Sequence, residues 1–107
     1  MAFDVLEVSL IVLEKLGPVE KKVRQKRKSL ADEMGRAGES IALNASEGEK
    51  RVGLDRADLF RRAEGSAAEL TTCLRIARAR GYITPAEFDA VDVFLDRVRA
   101  MLWRLTH

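Results

Sequence analysis

Few side chains in this sequence have the type and spacing to do covalent or acid-base chemistry. The only histidine, His107, stands at the last position, where a fraying terminus holds no catalytic geometry. Nucleophile-histidine pairs and the Glu-x-x-His motif of dimetal bundles are therefore not expected. Cys73 is the only cysteine, so it has no partner for a disulfide or for a cysteine zinc site. It falls beside an apolar helical stripe with nothing nearby in sequence to lower its pKa, which fits a packing residue better than a reactive thiol. Glu64 and Glu69 are five apart on one helix and do not face each other, so solvation explains them better than paired acid-base work. Gly48 and Gly53 flank a charged turn with no strand before it, and helix punctuation accounts for them better than a phosphate loop. This inventory points away from an enzyme and requires no cofactor.

Two polar features remain. Asn44 falls on an apolar stripe, where its amide needs hydrogen-bond partners; with Ser46 and Glu47 it is expected to satisfy the end of a helix and fix its register. The second feature is a basic run, Lys21, Lys22, Arg24, Lys26, Arg27 and Lys28, followed by Lys50, Arg51, Arg56, Arg61 and Arg62. Such runs are most often solvated helix faces. The functional alternative is attraction for the phosphates of RNA or DNA. No aromatic residue is interleaved with the run, and Tyr82 and Trp103 lie far along the chain. Backbone attraction without sequence preference is therefore the expected mode.

The elements that must carry these residues follow from apolar periodicity and capping signals. Phe3, Leu6, Leu10 and Leu13 form a stripe that predicts a first helix ending at Gly17-Pro18. Val5, Val8, Ile11, Val12 and Leu16 lie off that stripe. They suggest a second buried face, with Val5, Val8 and Val12 set against a neighbouring subunit. A second helix is expected from just after Pro18 to about Glu47, its inner stripe Leu30, Met34, Ala37, Ile41 and Asn44, with Gly48 as its stop. Its first third, Glu20 to Lys28, is almost wholly charged and is expected to project from the packed body. Gly35 and Gly38 imply close approach of another helix, since each costs a helix about 1 kcal/mol relative to alanine.

Asp55 is expected to cap a third helix that runs to Arg80 with Gly81 beyond it. Phe60, Ala63, Ala67, Leu70, Leu74 and Ala77 form its seam. Thr84-Pro85-Ala86-Glu87 combines a capping hydroxyl, a proline at the first helical position and a glutamate three residues after the cap, and so opens a fourth helix. There Phe88, Val91, Leu95, Val98, Leu102 and Leu105 repeat the spacing, widened by Phe94 and Met101. The expected fold is all-α, an antiparallel up-down four-helix bundle in a single domain over residues 1–107.

Composition agrees with that reading. The 107 residues are 47% hydrophobic and 34% charged, as in an ordered helical protein, and the net charge of +2 is too small to choose a partner. A core this modest gains from self-association. No apolar stretch approaches about 18 residues, and Asp4, Glu7 and Glu14 interrupt the N-terminal apolar run, so no membrane contact and a cytoplasmic location are expected.

The segment from Leu30 through Gly48, with Arg36-Ala37, Ser40-Ile41, Asn44 and Glu47-Gly48, is followed by Gly65-Ser66, Glu69-Leu70, Leu74 and Gly81-Tyr82-Ile83. This pattern resembles the four-helix-bundle proteins encoded in intervening sequences of bacterial large-subunit ribosomal RNA genes. The chain departs from the family pattern at Ala42, where a proline is common, and at Ala45 and Ser46, where isoleucine and alanine are common. The resemblance implies a homopentameric ring without established enzymatic activity. More distantly, the chain resembles the accessory variability proteins of diversity-generating retroelements, which implies a reverse transcriptase or other protein partner. The functional expectation is thus a homo-oligomeric bundle that binds nucleic acid, RNA favoured, through Lys21, Lys22, Arg24, Lys26, Arg27, Lys28, Lys50 and Arg51. The alternative is a protein scaffold or adaptor with no nucleic-acid contact.

Overall fold

The computed structural model describes residues 4–107, which form four helices and, among the described residues, no strand: α1 Val5–Arg24, α2 Lys28–Glu49, α3 Gly53–Ala79 and α4 Pro85–Thr106. Each helix packs against its neighbours in sequence, and α4 returns to α1, so the four close an up-down bundle. Contacts between antiparallel partners fix the register. Ser40 of α2 meets Ser66 of α3 at 2.7 Å, Arg99 of α4 donates to Thr71 of α3 at 2.6 Å, and Lys22 of α1 reaches Glu87 of α4 at 2.7 Å.

Two helix boundaries are set by local chemistry that the sequence displays. Thr84 Oγ1 accepts from the Glu87 amide while Glu87 Oε1 accepts from the Thr84 amide, a reciprocal capping box with Pro85 at the first helical position. At the end of α3, Gly81 adopts φ +75°, and the amides of Gly81 and Tyr82 donate to Arg78 O and Ala77 O. That pair of bonds is the Schellman closure, which needs a left-handed residue that glycine supplies without a Cβ clash. The α3 seam from Phe60 to Ala77 is buried as its spacing predicts. In α4, Phe88, Val91, Leu95, Val98 and Leu102 are buried, but Leu105 is 42% exposed near the helix end.

The first half of the chain differs from its sequence reading. Helix α1 does not stop at Gly17-Pro18 but continues to Arg24, with both residues on the solvent side. An interior proline costs a helix about 3 kcal/mol. Leu16, Val19 and Val23, on either side of it, are at most 5% exposed, and their burial in the core offsets that cost.

This extension also reverses the faces of α1. Val5, Val8 and Val12 are 3%, 0% and 1% exposed and fill the core of their own bundle, so they are not an intersubunit surface. Leu10 is 41% exposed, Leu6 and Leu13 are half-buried at the edge, and Phe3 lies outside the described residues. Both stripes have helical spacing, but only the Val5-Val8-Val12-Leu16 stripe continues through Val19 and Val23. The extension therefore decides which stripe faces inward. Ser9, buried in this face, satisfies its hydroxyl on Val5 O at 2.6 Å.

The break between α1 and α2 falls at Gln25–Arg27. The amides of Lys26 and Arg27 both donate to Val23 O, and Arg27 turns extended at φ −156°. No glycine, proline or capping side chain marks the place. The charged stretch therefore closes one end of the bundle and does not project as the start of a long second helix.

Gly48 does not stop α2, which runs on to Glu49. A Cβ on Gly48 would lie 2.9 Å from Cε1 of Phe60, so its lack of a side chain serves helix packing. Helix α3 starts at Gly53, at φ +64°, two residues before Asp55, which lies in its first turn and does not cap it. The expected close approach at Gly38 is present: a Cβ there would sit 3.0 Å from Leu13 Cδ2 and 3.1 Å from Leu16 Cδ2.

Candidate functional site

Because the helices alternate in direction, the α1–α2 turn and the α3–α4 connection share one end of the bundle. The last turn of α1 carries Lys21, Lys22 and Arg24; the turn carries Lys26 and Arg27; Lys28 opens α2. All six side chains reach solvent, Lys22 only in part. The second connection adds Arg80 and Tyr82, which sequence reasoning left out of the basic site. The lost signal was the break at Gln25–Arg27: with that turn recognised, Gly81-Tyr82 at the stop of α3 must lie beside it.

The cations at this end divide into two sets. Lys22 pairs with Glu87 at 2.7 Å, while Arg24 pairs with Asp32 at 2.7 Å and with Glu20 at 3.6 Å. The Lys22 ammonium, helped by the Thr84 amide, holds the Glu87 carboxyl below the usual range, and the Arg24 guanidinium does the same for Asp32. These pairs tie α1 to α4 and α1 to α2. Lys21, Lys26, Arg27, Lys28 and Arg80 form no ion pair among the described residues. The guanidinium groups of Arg80 and Arg27 lie close to the Tyr82 phenol, and together they lower its pKa below that of an ordinary tyrosine. Arg78 spends its charge differently, stacked 4.1 Å above the Phe88 ring.

Lys50 and Arg51 do not join this site. They follow α2 at the opposite end, and 22 helical residues at about 1.5 Å each separate the two groups by about 33 Å. Proximity in the sequence misled here because α2 runs the length of a molecule that measures 42 × 28 × 20 Å. Arg51 also pairs with Glu47 at 3.5 Å, which directs the Glu47 side chain to the surface. Asn44, half-buried, donates Nδ2 to Ser40 O at 2.9 Å and lies 3.1 Å from Ser40 Oγ, which itself bonds Ser66 Oγ. Its bonds thus point back along α2 into a polar link with α3, away from the helix end.

Cys73 is buried on α3 with Sγ 3.6 Å from Glu33 Oε2, and burial, reinforced by that carboxylate, pushes the thiol up to about 11. A thiol held protonated is a poor nucleophile. No group of three or more metal-ligating side chains gathers among the described residues, and no described helix is long and apolar enough to cross a membrane.

These features define an all-α four-helix protein with one cationic end. The sequence matches the model of the 23S rRNA-intervening sequence protein family over residues 3–104, and the chain belongs to that family. A solved structure with the same fold is a protein of unknown function from the S23 ribosomal protein family of Bacteroides thetaiotaomicron. It is 20% identical, with a TM-score of 0.86, and the match covers 95% of this chain and 97% of that one. No curated protein matches the sequence.

Proposed function

We propose that this chain is a binding protein whose cationic end engages the phosphate backbone of nucleic acid, with RNA favoured. One observation carries the reading: two chain reversals distant in sequence bring Lys21, Lys26, Arg27, Lys28 and Arg80, five cations that form no ion pair among the described residues, to one end of a chain whose net charge is only +2. Each neutralised phosphate releases condensed counterion, so affinity should fall with salt at a logarithmic slope of about −0.7 to −0.9 per contact. Replacing Lys26, Arg27 and Lys28 with glutamine should weaken binding about tenfold or more at low salt and make the slope shallower by about 2. Fluorescence anisotropy with labelled RNA and DNA measures both. Absence of binding by the unmodified protein at about 50 mM salt, where screening is weak, would reduce the cationic end to a solvated face.

A second reading, contact with protein, is favoured by apolar side chains that the bundle leaves outside. Leu43 is 66% exposed, and Leu10 faces solvent on the neighbouring helix. We propose that such side chains, and not Val5, Val8 and Val12, support a homo-oligomer, five-membered as the family resemblance implies. Light scattering should give a mass above the 12.0 kDa of one chain, and Leu10→Asp with Leu43→Asp should lower it while helicity is kept. A monomer at micromolar concentration would remove the assembly.

A further inference from the structure

We infer that the ligand of the cationic end is single-stranded nucleic acid, with one base on the ring of Tyr82 and the flanking phosphates on Arg27 and Arg80. The inference rests on the nucleic-acid reading above and narrows it. Sequence order gave the basic run no aromatic residue, but the fold supplies one. Tyr82, the only tyrosine, packs partly on the core and partly reaches solvent. Its backbone is fixed by the Gly81 turn and by its own amide bond to Ala77 O at 2.8 Å, so a closed turn and not a loose loop places the ring. Arg27 and Arg80 come from different connections and flank the phenol. The Nε of Arg27 is directed at Ser29 Oγ at 3.4 Å, and the side chain is exposed, so its guanidinium can reach a phosphate beside the ring.

Shape points the same way. The end of a bundle whose shorter dimensions are 28 and 20 Å is made of two turns that carry cations on exposed side chains. A flexible strand can bend over such a surface and present an unstacked base to the ring. A duplex keeps its bases stacked inside, where the ring cannot reach them. Charge alone would favour the duplex, whose phosphate density and counterion release are greater. A preference for the single strand is therefore diagnostic of stacking.

The test compares a short labelled single strand with a hairpin of the same composition, by anisotropy at low salt. The unmodified protein should bind the single strand about fivefold or more tightly, the effect of one base stack. Tyr82→Leu should abolish the preference, and Tyr82→Phe, which keeps the ring, should retain it. The single tyrosine also permits a readout on the unmodified protein. Its ring protons should shift upfield in NMR spectra when the strand binds. Equal affinity for strand and hairpin, or unshifted ring signals, overturns the Tyr82 inference and leaves the cationic-end reading standing. No binding to either overturns both.

Discussion

Where α1 turns into α2 and α3 into α4, Lys26, Arg27, Lys28 and Arg80 form no ion pair among the described residues; at the opposite end charge is interleaved. There Arg51 meets Glu47 at 3.5 Å, Arg62 meets Asp58 at 3.3 Å, and Arg56 donates to Gly48 O and lies over the Phe60 ring. Glu49, pushed up by burial and by nearby Asp4, adds acidic character to that end. The connection there, Lys50 to Val52, also leaves Val52 84% exposed, with Leu54 at 85% just beyond it. A small net charge can thus hide a polar molecule, one end cationic and the other mixed and partly apolar. A strongly uneven distribution attracts phosphates where a uniform one of the same sum would not.

The comparison breaks most visibly in binding. Lys26, Arg27 and Lys28 changed together to glutamine should weaken nucleic-acid binding about tenfold or more, whereas Lys50→Gln with Arg51→Gln should change it by less than about twofold. Equal losses would mean that both ends touch the ligand and that the ends are not functionally distinct.

Stability should separate the ends by mechanism. The mixed end is locked by packing, so Gly48→Ala, which forces a Cβ against Phe60, should destabilise by about 1–3 kcal/mol. The cationic end is locked by a cap, and Thr84→Ala should cost about 1 kcal/mol. Thermal melts would show falls of about 4–8 °C per kcal/mol for a domain of this size. A Gly48→Ala protein as stable as its parent would mean that Phe60 turns aside.

The smallest effect concerns acid. Glu87 has its folded pKa depressed by Lys22, so its contribution to stability is present above the ordinary glutamate pKa and disappears as pH falls through the folded value. Lys22→Gln should lower the melting temperature at neutral pH and leave it unchanged once that carboxylate is protonated. An equal drop at every pH would assign Lys22 a packing role instead.

The sequence by itself determined the all-α class, the Thr84 cap, the stop at Gly81 and the buried stripes of α3 and α4. These depend on contacts within a few residues: a hydroxyl and a carboxylate meeting amides one turn away, a glycine free to adopt positive φ, and one unambiguous apolar stripe per helix. Tertiary structure decided the inward face of α1, because that helix is apolar on two sides and only the core distinguishes them. It also carried α1 through Pro18, because burial of Leu16, Val19 and Val23 outweighs a lost hydrogen bond. It assigned Gly48 to packing against Phe60, a residue twelve positions away. Finally, it assembled the candidate site. Lys50 and Arg51 are nearer to Lys28 in sequence than Arg80 and Tyr82 are, but a rigid helix holds them away while an antiparallel turn brings the other two close.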